Sequence, residues 1–306
     1  MSILLSSLGL GLVLAVLAIG LFISFRILKF QDITVEGSFA LGGAAAAATI
    51  VASGNPWLAT AVGFLAGGAA GAMTGSVHIL FGINGLLSGI IVMTGLYSVN
   101  LRVMGRSNIP LNNHATVMQS PQLFLERLAG SDQVELFGRQ FALSDAAILL
   151  VGFAVVVATA SLLRLFLATN AGGVLRGTGD NPLLMQAIGV PTGAVVIGGL
   201  ALSNALAGAS GALFAQAVGF ADAQMGLGIL VTGLASVIIG QSLVGEASLG
   251  VSLTAVVLGS VIFRLLVAIS LRVGLNPNDL KLITAVFVVV ALSLPKVLVR
   301  KGPRRA

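Results

Sequence analysis

Apolar runs about as long as a bilayer is thick follow one another down this chain, and that repetition limits its fold more than any other feature. A helix needs roughly 20 apolar residues to cross the hydrocarbon. Such runs read from about Ile3 to Phe25, from the segment after Asp32 to about Ala52, from about Trp57 to Val77, and from about Gly82 to Tyr97. Others cover about Leu143 to Leu163, Gln186 to Leu206, Met225 to Leu243, Ser248 to Ser270 and Leu280 to Val297. The pattern predicts an all-α polytopic membrane protein of about nine transmembrane helices, with residues 1–306 forming one transmembrane domain. Ala207 to Gln224 is apolar but Gly-rich and reaches Asp222. It is expected to be a re-entrant or interrupted helix rather than a full span.

Composition supports the same class. Of the residues, 57% are hydrophobic and 8% charged, where soluble domains carry about a quarter charged. Forty glycines suit helices that pack closely in lipid. The absence of cysteine excludes disulfides, thiolate chemistry and Cys-ligated metals. With only His78 and His114, a multi-histidine metal site is excluded too. The net charge of +6 is not a nucleic-acid signal, because the basic residues sit mostly beside span ends, where they set orientation.

The N-terminus lacks the positive n-region of a signal peptide, and Arg26 and Lys29 follow the first apolar run. The first span therefore reads as having its N-terminus outside, and nine spans put the C-terminus inside. Nine of the sixteen Lys and Arg then fall inside and six outside, while Arg264 lies within the eighth span. On this reading 101–142 is an extracytoplasmic loop with a short surface helix near Gln122 to Leu128. Residues 164–186 are a cytoplasmic coupling loop, and 300–306 a basic cytoplasmic tail.

The coupling loop is the most distinctive polar interruption. Arg176, Gly177, Thr178, Gly179, Asp180, Asn181 and Pro182 cannot be membrane-embedded. Gly179-Asp180-Asn181-Pro182 is expected to turn tightly, with φ freedom from Gly179, local bonds from Asp180 and Asn181, and φ preset by Pro182. A short surface helix, a turn and the start of the next membrane helix should result.

A second set of candidates lies within apolar surroundings. Asp32 and Glu36 are four apart and share a helix face, as do Thr34 and Ser38. A carboxylate at the membrane centre costs about 2.5 to 3.5 kcal/mol on insertion scales. Either these residues begin an interrupted helix along a solute path, or Asp32 caps a helix near the headgroups and Glu36 still reaches water. Tyr97 and Asn100 lie at a span end, as interface anchors or as the mouth of a path. Asn84 either joins them or bonds a neighbouring helix. The candidate path is thus Thr34, Glu36, Ser38, Asn84, Tyr97 and Asn100. Arg264 either snorkels or pairs with Asp222 or Glu36, and Trp57 reads as an interface anchor.

No catalytic constellation is present. Gly177-Thr178-Gly179-Asp180 lacks the Lys-Ser/Thr of a phosphate loop, so the chain is not expected to hydrolyse ATP or to be an enzyme, nor to bind a cofactor or metal.

The run Arg176 to Pro182, followed by Ala187-Ile188-Gly189-Val190, resembles the cytoplasmic coupling loop of ABC-importer permeases. The match is to the superfamily of branched-chain amino-acid and ribose permeases. Asp32-Ile33-Thr34-Val35-Glu36-Gly37-Ser38 resembles that superfamily's Asp-Leu-Ser-Val-Gly-Ser segment. Ile33 to Phe39 and Leu96 to Gly105 are closer to one branch, poorly characterised permeases encoded beside an ATPase and a lipoprotein-like binding protein. Some of its members are assigned to aromatic or other amino acids. Glu36 departs from the small residue or Gln usual in the sugar and branched-chain relatives, so solute identity does not carry over.

The resemblance implies a permease subunit of an importer in a bacterial inner membrane. It also implies a second permease subunit, with a homodimer as the expected form, ABC ATPase subunits holding ATP and Mg, and an extracytoplasmic solute-binding protein. A self-contained secondary carrier or channel is the alternative from another class. It would need buried titratable pairs and no coupling loop.

Overall fold

The structure is a computed structural model that describes residues 2–129, 133–136, 139–244, 248–274, 279, 282 and 284–289. Most of the ninth apolar run, the turn at 245–247 and the basic segment 300–306 lie outside these. Among the described residues, seven helical segments are long and apolar enough to cross a membrane. They are Leu5–Ile27, Thr34–Ser53, Pro56–Phe81, Gly85–Met104, Leu143–Ala168, Thr192–Val218 and Leu249–Arg272. The shorter apolar helix Ile229–Val244 occupies the seventh predicted run. The protein is an all-α, multi-pass membrane protein.

The first helix, α1 (Ser2–Leu21), is the hub. It is apolar on every side, so no face of it prefers water, and such a helix is enclosed or faces lipid. Here Val13 to Ile23 are almost wholly buried. Four later helices pack on it: α6 (Leu143–Ala168), α9 (Thr192–Val218), α10 (Ile229–Val244) and α11 (Leu249–Arg272). Ser203, Ser210 and Ser260 donate from α9 and α11 to the α1 carbonyls of Gly20, Val13 and Gly11, each at 2.8 Å. With no water in the interior, these hydroxyls must find carbonyls, and doing so joins the helices. Beyond Leu21 the chain widens into a π-helical turn, Phe22–Ile27. It then reverses at Lys29, whose φ is 55°.

Three more helices form a second layer: α2 (Thr34–Ser53), α3 (Pro56–Phe81) and α4 (Gly85–Met104). Between α2 and α3 the sequence Gly54-Asn55-Pro56 turns with Gly54 left-handed. Asn55 caps α3 by accepting from the N–H groups of Trp57 and Leu58, and Pro56 fills the first helical position.

The expected break at Ala207 to Gln224 is not there. α9 continues unbroken for 27 residues to Val218, and a short strand, β4 (Phe220–Asp222), follows. It pairs antiparallel with β1 (Asn108–Pro110). The glycines that suggested a break serve close approach instead. A Cβ on Gly208 would overlap the carbonyl of Gly63 in α3, and one on Gly211 the carbonyl of Phe39 in α2. α9 therefore touches both helices backbone to backbone. Its start also moves, to Thr192 rather than Gln186.

α9 spans about 40 Å at 1.5 Å per residue, so the segments flanking it mark opposite ends of the bundle. At its start lie α7 (Asn170–Asp180) and α8 (Pro182–Ala187), here called the elbow. Beyond its far end is the loop region, with β1, β4, α5 (Gln119–Ala129) and the hairpin of β2 (Gln133–Leu136) and β3 (Arg139–Ala142). The predicted surface helix near Gln122 to Leu128 is α5.

Candidate functional site

Two places carry the polar chemistry. The first is where α2 begins. Asp32 is fully buried two residues before α2 and accepts from the Thr34 N–H at 2.9 Å. Its other carboxylate oxygen accepts from the Asn204 side-chain amide at 2.6 Å. Asn204 lies near the midpoint of α9 and accepts from the Ser38 hydroxyl at 2.7 Å. Beside this network, the Thr34 and Thr74 hydroxyls are 2.6 Å apart. Asp32 thus lies inside the bundle, against the middle of α9. Sequence reasoning noticed the residue without seeing its partner, which is 172 positions away.

The network sorts the predicted path residues. Thr34 and Ser38 are fully buried and point into it. Asn84 caps α4 by accepting from the Leu86 N–H at 2.9 Å. Glu36, Tyr97 and Asn100 do come together. They line one cavity of about 290 Å³ between α2, α4 and the turn before α10, with Thr94 and Gln224. The Glu36 carboxylate accepts from the Gly228 N–H at 2.9 Å and so ties α2 to that turn. Asn100 is 1% exposed, and its Oδ1 has no hydrogen-bond partner among the described residues. Arg264 sits apart on α11, its Cβ against Gly11, and the Asp222 carboxylate accepts from the Gln224 N–H.

The second place is the elbow. Thr169 caps α7 by accepting from the Gly172 N–H at 3.3 Å. Gly172, Leu175 and Thr178 form its buried face, and Arg176 and Asp180 lie exposed, one turn apart. Asn181 interrupts the helix and caps α8, accepting from the Leu184 N–H at 3.0 Å. Pro182 takes the first position of α8.

Two details differ from the sequence reading. Gly179 stays helical, and its value is closeness, because a Cβ there would overlap the Ile27 carbonyl. Asp180 bonds not its own backbone but Lys29, at 2.8 Å. That bond and the Lys29 charge hold its carboxyl below the usual carboxylate range. Sequence reasoning also missed the apolar tip. α8 has no buried residue, yet Leu183 is 76%, Leu184 56% and Ile188, just beyond it, 66% exposed. The signal was present as Leu183-Leu184-Met185 just after a Pro, but it reads equally as the start of a span.

Residues 3–293 match the family described as branched-chain amino acid transport system / permease component. The chain belongs to that family. The permease is 36% identical, over 92% of its length and 88% of the relative's, to a protein of Clostridioides difficile (strain R20291) named tyrosine transport system permease protein. It is 33% identical to an uncharacterised protein of Rickettsia prowazekii (strain Madrid E), over 97% of its own length and 99% of that protein's. Among solved structures, PsaBC from Streptococcus pneumoniae in complex with Fab aligns over 95% of the permease and 89% of that chain, with 14% identity and a TM-score of 0.49.

Proposed function

We propose that this permease is the membrane subunit of an ATP-binding-cassette importer in a bacterial inner membrane. It passes a small polar solute, an amino acid or a related compound, from an extracytoplasmic binding protein to the cytoplasm. It works as a homodimer with two ATPase subunits, which hold the ATP and Mg. The elbow is cytoplasmic, the loop 101–142 faces the binding protein, and the basic tail 300–306 is cytoplasmic.

The observation that carries this reading is the elbow. A short helix with no buried residue presents Leu183, Leu184 and Ile188 next to exposed Arg176 and Asp180. An apolar tip rimmed by charge is a docking knob for another protein. α7 packs on α9 and on the π-turn that ends α1, and Lys29–Asp180 adds a second tie. A push on the tip reaches the hub helix and the buried Asp32–Asn204 junction through packed elements. ATP-driven closure of the two ATPases draws the elbows together and rocks the helices. The name of the C. difficile relative supports an amino-acid solute.

Affinity purification of the tagged chain from native membranes tests the reading. A stoichiometric ATPase is expected with the wild type and is expected to be lost with Leu183→Glu/Leu184→Glu. A partner-free protein that still moves solute would establish a self-contained carrier instead.

A further inference from the structure

A second cavity, of about 390 Å³, lies on the flank of the bundle between α3 and α6. Val16 of α1, Leu202 and Leu213 of α9, Trp57 of α3, and Leu162 and Phe166 of α6 all line it. Among the described residues no charged side chain does. The Thr60 hydroxyl in its wall is already engaged, donating to the Pro56 carbonyl and accepting from the Gln216 amide, both at 2.9 Å. The wall therefore offers a guest mainly hydrocarbon. Its shape is as telling as its chemistry. Trp57 stands in the first turn of α3, which the Gln216–Thr60 bond holds against the end of α9. Phe166 stands in the last turn of α6, next to the elbow. The cavity thus runs along the bundle axis, and from Leu202 to Leu213 it covers about 16 Å of α9 at 1.5 Å per residue. One leaflet of hydrocarbon is about 15 Å deep, half of the core.

From this we infer that the cleft between α3 and α6 is a binding site for one acyl chain of a membrane phospholipid, with the headgroup at the Trp57 end. An amphipathic indole is at home at headgroup level. Trp57 is 59% and Leu162 67% exposed at the rim, and the exposed Leu65, Phe153 and Leu165 continue the same helix flanks, so the cleft opens onto the surface that meets lipid. A compact polar solute would give up its water and gain almost no hydrogen bonds. A helix of a second copy is about 10 Å across and is too thick to enter a space of 390 Å³ spread over that length. Left empty, the lining side chains would forfeit their contacts on one side. α3 packs on α9 and α6 packs on α1, so a chain seated between them touches both and becomes part of the packing. The site does not depend on which solute the permease carries.

Trp57 is the only tryptophan of the chain, and its place in the cleft supplies the test. The full-length permease, stripped of lipid in detergent, is titrated with phosphatidylcholine dibrominated at the middle of its acyl chain, because bromine in contact with an indole quenches its fluorescence. Quenching is expected to saturate at one lipid per chain and to be reversed by unbrominated phosphatidylcholine. Ala209→Phe on α9 and Thr159→Phe on α6 place a ring in the cleft from two different walls. Each is expected to raise the half-saturating lipid concentration by about tenfold or more. Leu65→Phe, on the neighbouring exposed flank and outside the cleft, is expected to leave it unchanged.

Quenching that grows in proportion to added lipid without saturating would mean that Trp57 only touches bulk lipid, and would overturn the site. So would saturable quenching indifferent to both cleft-filling variants, which would put the chain elsewhere. Absence of quenching, with the cleft covered by a second copy or left empty, would overturn it as well. The two fillings enter from different helices, so a folding defect in one leaves the other to decide, and a thermal midpoint kept by Ala209→Phe would show that the ring found room.

Discussion

Asp32 is the residue on which the interior depends most. Its carboxylate is enclosed and is satisfied by the Thr34 N–H and the Asn204 amide. Removing the amide leaves a buried acceptor short of a donor, which costs on the order of 3 kcal/mol. Asn204→Leu should therefore lower the thermal midpoint of the solubilised permease well below that of an exposed change such as Ser53→Ala, and a scan of both reads this directly. Asp180 is the contrasting case. Its side chain is 73% exposed and that of Lys29 55%, so the ion pair contributes less than about 1 kcal/mol. Because the folded-state pKa is depressed, that contribution is present above the ordinary carboxylate value and is lost as pH falls through the lowered one. Melting curves of wild type and Asp180→Asn should differ slightly at pH 7 and converge in strong acid. A gap that widens on acidification would contradict the pairing.

Among the elements, α9 organises the second layer because its small residues let two helices reach its backbone. Gly208 lies against both Gly63 and Gly67. Even one methyl there must push α3 away, and overpacking of this kind costs about 1–3 kcal/mol or more. On the same helix, a methyl added at Gly198 would meet nothing within 4 Å, so alanine there gains helix propensity without a clash. Gly208→Ala is expected to reduce the monodisperse fraction in size-exclusion chromatography, and Gly198→Ala to leave it equal or better. Equal behaviour of the two would show that α3 and α9 do not meet so closely. The elbow follows a different rule, since its order comes from caps at Thr169 and Asn181 and from contact with the π-turn rather than from burial of α8.

At the scale of the whole molecule, the two ends are chemically distinct. One carries Arg26, Lys29 and the elbow, and the other carries α5 and the β1–β4 pair. A chain without cysteine permits a clean test of which end faces the cytoplasm. Single cysteines at Asn113 and at Asn181 should respond oppositely to a membrane-impermeant maleimide added to spheroplasts. Asn113→Cys is expected to label in sealed spheroplasts and Asn181→Cys only after lysis, and the reverse pattern would invert the proposed topology. Many exposed apolar side chains, such as Leu65, Phe153 and Leu165, cover the flanks between these ends, as lipid requires of a spanning protein.

Class and order were legible in the sequence because membrane crossing is a local property. Twenty apolar residues in a row meet the requirement wherever they fold, and the Asn55 and Pro182 signals act within a turn of their own positions. The motif around Arg176 to Pro182 was legible for the same reason. Other features depend on partners far along the chain and belong to tertiary structure alone. Gly208 and Gly211 read as a break until α2 and α3 are seen against them. Thr34 and Ser38 find their hydroxyl partners, Thr74 and Asn204, only across helices. Glu36, Tyr97 and Asn100 share a cavity only because α2, α4 and the turn before α10 converge. Spacing along one helix places side chains on a face, but which neighbour that face meets is decided by the packing of all the helices together.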